Sequence, residues 1–210
     1  MLLPKSPLYE DVANELRKSI FSHKLPPGSW VDEQALALQL GISRTPMREA
    51  IKVLASEGLI TMKPRRGAYV TEVSKTDLEQ IFHIISILEG EACKIVAQKA
   101  TERELDLLDN IHSKLEKAAA DRNIELFFEI NQDFHSKIQE IAGNLWMKST
   151  ISDLRKVLKL QRYDSLMKSG RIEQSLLEHR KILSAIINRE ATLAEDLMKE
   201  HLKQGQVAAS

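Results

Sequence analysis

In the first third of the chain, the spacing of apolar residues predicts two short helices. Val12, Leu16 and Ile20 recur every fourth residue within residues 9–22, which places them on one face of a helix. The polar and proline-containing run LPPGSWV that follows predicts a loop. Asp32 then stands where it can cap a second helix, which we expect to run to about residue 40.

The next block, residues 41–71, predicts a third helix followed by a two-stranded ribbon. The turn Gly41-Ile42-Ser43 leads into RTPMREAIKVLAS, and β-like segments at 59–62 and 68–71 flank the turn KPRRG. A helix of about eight residues, a tight turn and a second helix is the spacing of a helix-turn-helix. A ribbon directly after it predicts the winged variety.

The remainder of the chain is patterned for long helices. All six prolines lie at or before Pro64, and proline is excluded from helix interiors. Ser74, with Asp77 three residues later, predicts the start of the first long helix. We predict six helices, at about 75–100, 102–120, 123–141, 145–168, 171–188 and 191–205. The predicted fold class is mainly α, with a winged helix-turn-helix domain at 1–73 and an all-α six-helix bundle at 74–210.

Composition narrows the class of protein. The chain has 210 residues, of which 43% are hydrophobic and 29% charged, and its net charge is zero, so no global field attracts it to nucleic acid or membrane. The single cysteine, Cys93, excludes an internal disulfide framework and a Cys-rich zinc site. The start MLLPKSPLYEDV does not resemble a signal peptide, and no apolar run reaches the roughly 20 residues that cross a bilayer. We therefore predict a cytoplasmic protein.

The local charge of the third helix and the ribbon differs from that of the whole chain. Residues 44–66 hold six cations and two acids. Arg44, Arg48 and Lys52 follow each other at four-residue steps and form one stripe along the helix. Arg65 and Arg66 stand at the predicted tip of the ribbon. One interpretation is a solvated helix face, but the turn before the stripe and the basic ribbon after it favour a surface that binds DNA.

Histidines in the helical half suggest a second kind of chemistry. Asn131 and His135 lie one helical turn apart on one face, while His179 and His201 each belong to a separate predicted helix. Packed helices can bring such donors together around a divalent metal ion. Isolated histidines are more often ordinary surface or boundary residues, and the chain has three others with no such pattern: His23, His83 and His112.

The segment LPPGSWVDEQALALQLGISRTPMREAIKVLASEGLITMKPRRGAYV closely resembles the DNA-binding domain of GntR-family bacterial transcription regulators, over residues 8 to about 72. Those domains carry a PPG loop, a G-[IV]-S-R-[TS]-P-[VM]-R-E-A core and an R-x-G wing. The resemblance implies that Arg44 and Arg48 reach base edges in the major groove. The complete set of residues predicted to bind DNA is Ser43, Arg44, Thr45, Arg48, Lys52, Arg65, Arg66 and Gly67.

The resemblance also assigns roles within that set. Ser43 and Thr45 would hold the DNA backbone, and Arg66 with Gly67 would form the tip of the wing, which such proteins usually place in the minor groove. Some relatives have a DNA-contacting arginine where this chain has Gln34. That departure predicts a different operator sequence.

Residues 75 to about 205 resemble the FCD ligand-binding domain of the FadR-like branch of GntR regulators. The matching motifs are NQDFH with AGN, then EHRKILSAI, then HL. The resemblance implies that Asn131, His135, His179 and His201 hold a divalent metal in an effector cavity. Zinc is the first expectation, with nickel and manganese as alternatives, and the metal often contacts a carboxylate of the bound metabolite.

Two departures from the FCD pattern change what we expect of that cavity. Many members have aspartate where Asn131 stands, and an uncharged amide should bind a cation more weakly. Members that bind organic acids often have an arginine where this chain has Ile85. The sequence assigns no residue to effector binding.

Together these features predict a transcription regulator, a repressor before an activator, that is not an enzyme. We expect a homodimer that reads a palindromic operator, because a two-fold dimer presents the same helix to each half-site. A small-molecule effector, for example a carboxylate metabolite, would bind near the metal. The alternatives are a metal-dependent helical enzyme and an architectural DNA binder whose metal is purely structural.

Overall fold

The computed structural model describes residues 7–209, which form two compact units. One unit contains residues 7–73 together with 156–160, and the other contains 74–155 and 161–209. Residues 1–6 and Ser210 lie outside the described residues. Residues 1–6 are half of the segment MLLPKSPLYEDV, from which we predicted that the chain has no signal peptide. Ser210 is the last residue of the predicted bundle.

The N-terminal unit has the predicted winged helix-turn-helix order. Its elements are α1 (Leu8–Phe21), α2 (Glu33–Gln39), α3 (Arg44–Ser56), β1 (Ile60–Lys63) and β2 (Gly67–Val70). The two strands are antiparallel, with Ile60 opposite Val70 and Lys63 opposite Gly67. The carboxylate of Asp32 caps α2 by accepting the backbone N–H groups of Gln34 and Ala35, each at 3.0 Å.

One apolar core holds this unit together. Leu16 and Ile20 of α1 are buried with Met47, Ile51 and Leu54 of α3. Each such side chain contributes about 1.5–3 kcal/mol on burial. Because these residues occupy the inner face of α3, the opposite face is directed to solvent.

An ion-pair network lies at the end of α3. The Glu57 carboxylate accepts hydrogen bonds from Arg17 Nε at 3.0 Å and from Lys159 Nζ at 2.8 Å. Burial by itself would raise the pKa of Glu57, but the hydrogen bonds from Arg17 and Lys159 outweigh it and lower the pKa below its ordinary value. Glu57 therefore contributes stability that is complete above its unfolded-state pKa and is lost as the pH falls through the folded-state pKa.

We expect Glu57→Gln to lower the free energy of unfolding by about 1–2 kcal/mol near neutral pH, because Arg17 and Lys159 lose an ionised partner. Urea titrations of the variant and the parent should converge only when the pH falls through the lowered folded-state pKa of Glu57, where the parent carboxyl is protonated as well. Glu49→Gln is the matched control, since Glu49 lies on the same helix and its ion pair with Lys52 is exposed. A difference between parent and Glu57→Gln that does not depend on pH would contradict this account.

The helical unit is built from seven helices in the part of the chain that is described. They are α4 (Lys75–Lys99), α5 (Glu102–Ala120), α6 (Ile124–Ala142), α7 (Leu145–Val157), α8 (Lys159–Leu166), α9 (Arg171–Ile187) and α10 (Ala191–Ala209). The predicted cap at Ser74 is present, since its hydroxyl accepts the Asp77 N–H at 3.1 Å. None of the described helices combines the length and the apolar character needed to cross a membrane.

The fourth predicted helix, 145–168, is wrong in its extent. It is two helices that break at Leu158, and the second ends at Leu166. No proline or glycine marks the break in the sequence. Residues 156–160 belong to the N-terminal unit, where Leu160 is buried in the apolar core, so long-range packing interrupts the helix. The predicted mainly α class is confirmed, but the bundle has one more helix than the six expected.

Candidate DNA interface and metal centre

The predicted cationic stripe lies on the exposed face of α3. Arg44, Arg48 and Lys52 are all exposed, and the side chain of Arg48 keeps 63% of its surface accessible. Ser43 and Thr45 at the start of the helix are exposed as well, and the Ser43 hydroxyl makes no capping hydrogen bond. The cations and hydroxyls predicted to meet DNA are therefore within reach of a duplex.

Two of the stripe residues have acidic neighbours at the surface. Arg48 Nε lies 3.2 Å from Glu33 Oε2, and Lys52 Nζ lies 2.8 Å from Glu49 Oε1. Exposed ion pairs of this kind stabilise a protein by only about 0.2–1 kcal/mol. A phosphate or a guanine edge can therefore replace the carboxylate at small cost. Glu33 was not among the predicted residues, because a glutamate at a helix start is common for other reasons.

The wing turn adds the second set of predicted cations. Arg65 and Arg66 are exposed, and the turn is closed by a backbone hydrogen bond from Arg66 N to Lys63 O at 3.0 Å. Gly67 has a φ of 94°, in the region that favours glycine, and this conformation lets the chain enter β2. Arg44, Arg48, Arg66 and Gly67 line one groove of about 590 Å³, while Lys52 and Arg65 lie outside its lining.

In the helical unit, the three predicted histidines form one buried cluster. His135 on α6 and His179 on α9 are fully buried, and His201 on α10 is 5% exposed. One ring nitrogen from each lies within 4.8 Å of the others. The other histidines do not join them: His23 and His83 are exposed, and His112 is buried elsewhere on α5. The bundle therefore brings together residues that are far apart in sequence.

The distance between two of the imidazoles suits a tetrahedral metal site. His179 Nε2 and His135 Nε2 are 3.3 Å apart. Two ligands about 2.0–2.1 Å from one tetrahedral metal ion are about 3.3–3.4 Å from each other. Asn131 is 6% exposed, and its Oδ1 atom is buried without a hydrogen-bond partner. Burying an oxygen without a partner costs free energy of folding unless a cation or a hydrogen-bond donor contacts it.

Two carboxylates contact the Nδ1 atoms of two of the imidazoles and so orient the rings. Glu89 Oε2 lies 2.7 Å from His135 Nδ1, and Glu178 Oε2 lies 2.6 Å from His201 Nδ1. Each carboxylate thereby leaves the Nε2 atom of its histidine free to face the cluster. Arg155 forms a buried bidentate ion pair with Glu89.

Neither carboxylate was predicted from the sequence, although a signal was present for Glu89. Within IISILEGEACKIV it lies one helical turn after Ile85 and one turn before Cys93, on the apolar face of the helix, and a charge on such a face implies a buried partner. Glu178 offered less, because it lies next to His179 in sequence but contacts His201 instead.

The electrostatics of the cluster favour the form of histidine that binds metals. Burial lowers the pKa of His135 well below its ordinary value, and neighbouring Arg155 lowers it further. Burial also lowers the pKa of His179 and that of His201. Burial would raise the pKa of Glu89, but the charge of Arg155 and the contact with His135 hold it below its usual range. The site thus presents neutral imidazoles beside ionised carboxylates.

A cavity of about 30 Å³ opens beside the cluster and shares Asn131 and His201 with it. Its other polar lining consists of Arg162, Arg171, Ser165 and Ser175. Arg171 is paired with Glu178 at 3.0 Å, whereas Arg162 donates to the Gln132 amide oxygen at 2.7 Å and has no carboxylate partner among the described residues. The lining therefore carries an uncompensated positive charge.

Comparison with known families identifies both units. Residues 8–70 match the family described as "Bacterial regulatory proteins, gntR family", and residues 80–204 match the "FCD domain". The chain is a GntR-family regulator with an FCD domain. This GntR-family regulator is 28% identical to the uncharacterized HTH-type transcriptional regulator YdhC of Bacillus subtilis, over 93% of this chain and 88% of that protein. It is 29% identical to the HTH-type transcriptional repressor RspR of Escherichia coli, over 97% of this chain and 89% of that protein.

Solved structures show the same fold. E. coli McbR/YncC superposes on this GntR-family regulator with a TM-score of 0.74, covering 98% of each chain at 23% identity. The families and relatives are transcription regulators, which confirms the prediction that the chain is not an enzyme. Its DNA-binding helix-turn-helix and its FCD effector domain make it a transcription regulator.

Proposed function

We propose that this regulator is a homodimeric, cytoplasmic repressor that binds a palindromic operator. Its affinity for the operator would change when a small molecule binds beside a metal ion in the helical domain. The proposal keeps the division into a DNA-binding domain, 1–73, and an effector and dimerisation domain, 74–210. The observation that carries it is the buried cluster of His135, His179 and His201 with a cationic cavity beside it. The similarity to the repressor RspR supports the repressor role, and the dimer is supported because homodimers are typical of the family.

On the DNA side, Arg44 and Arg48 would read base edges and Ser43 and Thr45 would hold phosphates. Support comes from their exposure at the start of α3 and from the weak surface ion pair that occupies Arg48. Arginine can bond guanine O6 and N7 together, which is worth about 1–3 kcal/mol of discrimination per base. Lys52, Arg65 and the wing tip Arg66-Gly67 would complete the surface.

For the metal, the proposed ligands are Asn131, His135, His179 and His201. Three neutral imidazoles and one amide oxygen suit zinc, and nickel or manganese are alternatives with the same donors. When bound, the metal would supply positive charge that attracts the carboxylate of an effector. Glu89 and Glu178 would keep two of the histidines in the orientation that points Nε2 at the ion.

The effector would carry a small anionic group, which we infer from Arg162. This guanidinium is enclosed at the cavity, and like charge from Arg155 adds to burial in lowering the pKa of Arg162. Arg162 is half-buried and contacts no carboxylate among the described residues, although the more distant charge of Glu89 favours it, so a ligand carboxylate at this point would be stabilised. Arg162 would thus do what the arginine of other organic-acid binders does at the position of Ile85, which is buried and apolar here.

We expect Arg162→Gln to weaken the response to carboxylates strongly. Zinc-loaded protein would be screened against small mono- and dicarboxylates by thermal shift and by release from DNA. At least one compound should stabilise the parent and change its DNA binding, and the variant should respond at least tenfold more weakly because it loses a charged hydrogen-bond donor. Arg180→Gln is the matched control, since Arg180 is exposed and pairs with Glu116 at the surface. An equal response in parent and Arg162→Gln would remove Arg162 from the effector site.

A further inference from the structure

An exposed tryptophan, Trp30, lies in the groove between α3 and the wing. Trp30 is 56% exposed and lines the groove with Arg44, Arg48 and Arg66. Large aromatic side chains are usually buried more fully than this in a soluble protein.

The backbone around Trp30 is hydrogen-bonded to the wing. Trp30 bridges Tyr69 in antiparallel fashion, and the residues on either side of it make backbone hydrogen bonds to β2, from Val31 N to Ala68 O and from Val70 N to Ser29 O, both at 2.9 Å. A Cβ atom at Gly67 would lie 3.1 Å from Trp30 Nε1, so the indole stands directly against the start of β2. The backbone of Trp30 is therefore anchored to the wing, and its indole lies against Gly67.

The indole N–H is a donor without a protein acceptor in the described part of the chain. Exposed tryptophan at an interface commonly uses this group to bond a partner. The groove around it suits an anion, because three arginines outnumber the two acids that line it, Asp32 and Glu33. Asp32 is engaged by the backbone of α2, and Glu33 is paired with Arg48.

The geometry of a duplex places a phosphate strand at this point. A recognition helix in the major groove and a wing in the adjacent minor groove straddle the sugar–phosphate strand that separates the two grooves. Trp30 lies between α3 on one side and the wing on the other. A phosphate oxygen on that strand is the acceptor that the indole lacks.

We propose that Trp30 is a DNA-contacting residue whose indole N–H donates to a phosphate oxygen of the strand between α3 and the wing. The proposal rests on the placement of α3 in the major groove. A phosphate contact positions the protein without reading sequence, so Trp30 should strengthen binding to specific and mixed-sequence DNA alike.

The test uses the full-length protein with Trp146→Phe, which leaves Trp30 as the only tryptophan. We expect a mixed-sequence duplex at about 50 mM salt to quench or shift the emission of Trp30. By fluorescence anisotropy of labelled DNA, adding Trp30→Phe should weaken binding about tenfold, because the ring is kept but the donor to a charged acceptor is lost. The slope of log affinity against log salt should stay unchanged, since no charge is removed.

Arg48→Ala in the same background, with affinity measured on an operator selected from a random pool, separates this proposal from the placement of α3 on which it rests. Loss of affinity in Arg48→Ala, together with unchanged emission or with Trp30→Phe binding as tightly as its parent, would overturn the role of Trp30 alone. Unchanged affinity in Arg48→Ala as well would instead overturn the placement of α3. Thermal melting of Trp30→Phe close to that of its parent shows that the weaker binding does not come from unfolding.

Discussion

Arg48→Ala should weaken binding to the operator by about 5- to 150-fold, the loss of one bidentate guanine contact, while the melting temperature stays near that of the parent. Arg48 is exposed on α3 and its ion pair with Glu33 is a surface pair, so removing it leaves the apolar core untouched. The operator can be recovered by selecting bound duplexes from a random pool, and affinity measured by gel-shift titration.

The matched control is Arg103→Ala, which removes the same charge from an exposed position on α5. It should bind DNA as the parent does. Lys52→Ala offers a second comparison, because a phosphate contact should weaken all sequences to a similar degree, whereas Arg48→Ala should also relax the preference at one base pair. Operator affinity that is unchanged in Arg48→Ala would refute the assignment of α3 as the reading helix.

Removing the metal should lower the melting temperature of the helical domain by about 10 °C. An ion at a thousand times its dissociation constant stabilises the folded state by about 4 kcal/mol, and each kcal/mol is worth about 2–4 °C in a protein of this size. A strong chelator added to the protein as purified, followed by thermal melting and elemental analysis, makes the measurement. The double variant His135→Ala/His179→Ala should melt at the same temperature with and without chelator.

His112→Ala controls for the loss of a buried histidine. This residue is 4% exposed and lies outside the cluster, so its variant should keep the full response to chelator even if it melts lower. A chelator shift of the same size in the double variant would mean that no metal is held by these histidines. Asn131→Asp tests the fourth ligand, because a carboxylate adds negative charge at the ion and should tighten metal binding.

The N-terminal unit was predictable because its signals are local. Asp32 caps α2 from the position next to it, and the Lys63–Gly67 turn joins two strands that pair with their neighbours in sequence. The stripe on α3 follows from the helical repeat alone. Its neighbour Glu33 was missed, because Arg48 and Glu33 lie 15 residues apart and meet only when α2 and α3 pack.

In the helical unit, the features that depend on contacts between distant residues were not predictable from the sequence. The break at Leu158 has no proline or glycine to announce it, and it comes from the packing of residues 156–160 in the N-terminal unit. The Glu89–Arg155 ion pair spans 66 residues and the Glu89–His135 contact spans 46, distances at which sequence spacing carries no geometric information. Arg162 and Trp30 likewise acquire meaning only from the cavity and the groove that they line.

From the amino-acid order alone came the class of fold, the helix starts other than that of α8, the basic stripe and the family, because each depends on neighbours within a few turns or strands. The tertiary structure decided which histidine nitrogens converge and which carboxylates contact these histidines. It also decided that Arg162 lines the cavity without a carboxylate in contact among the described residues. Those features depend on how the seven described helices of the second unit pack together, and packing is set by contacts between residues that are remote along the chain.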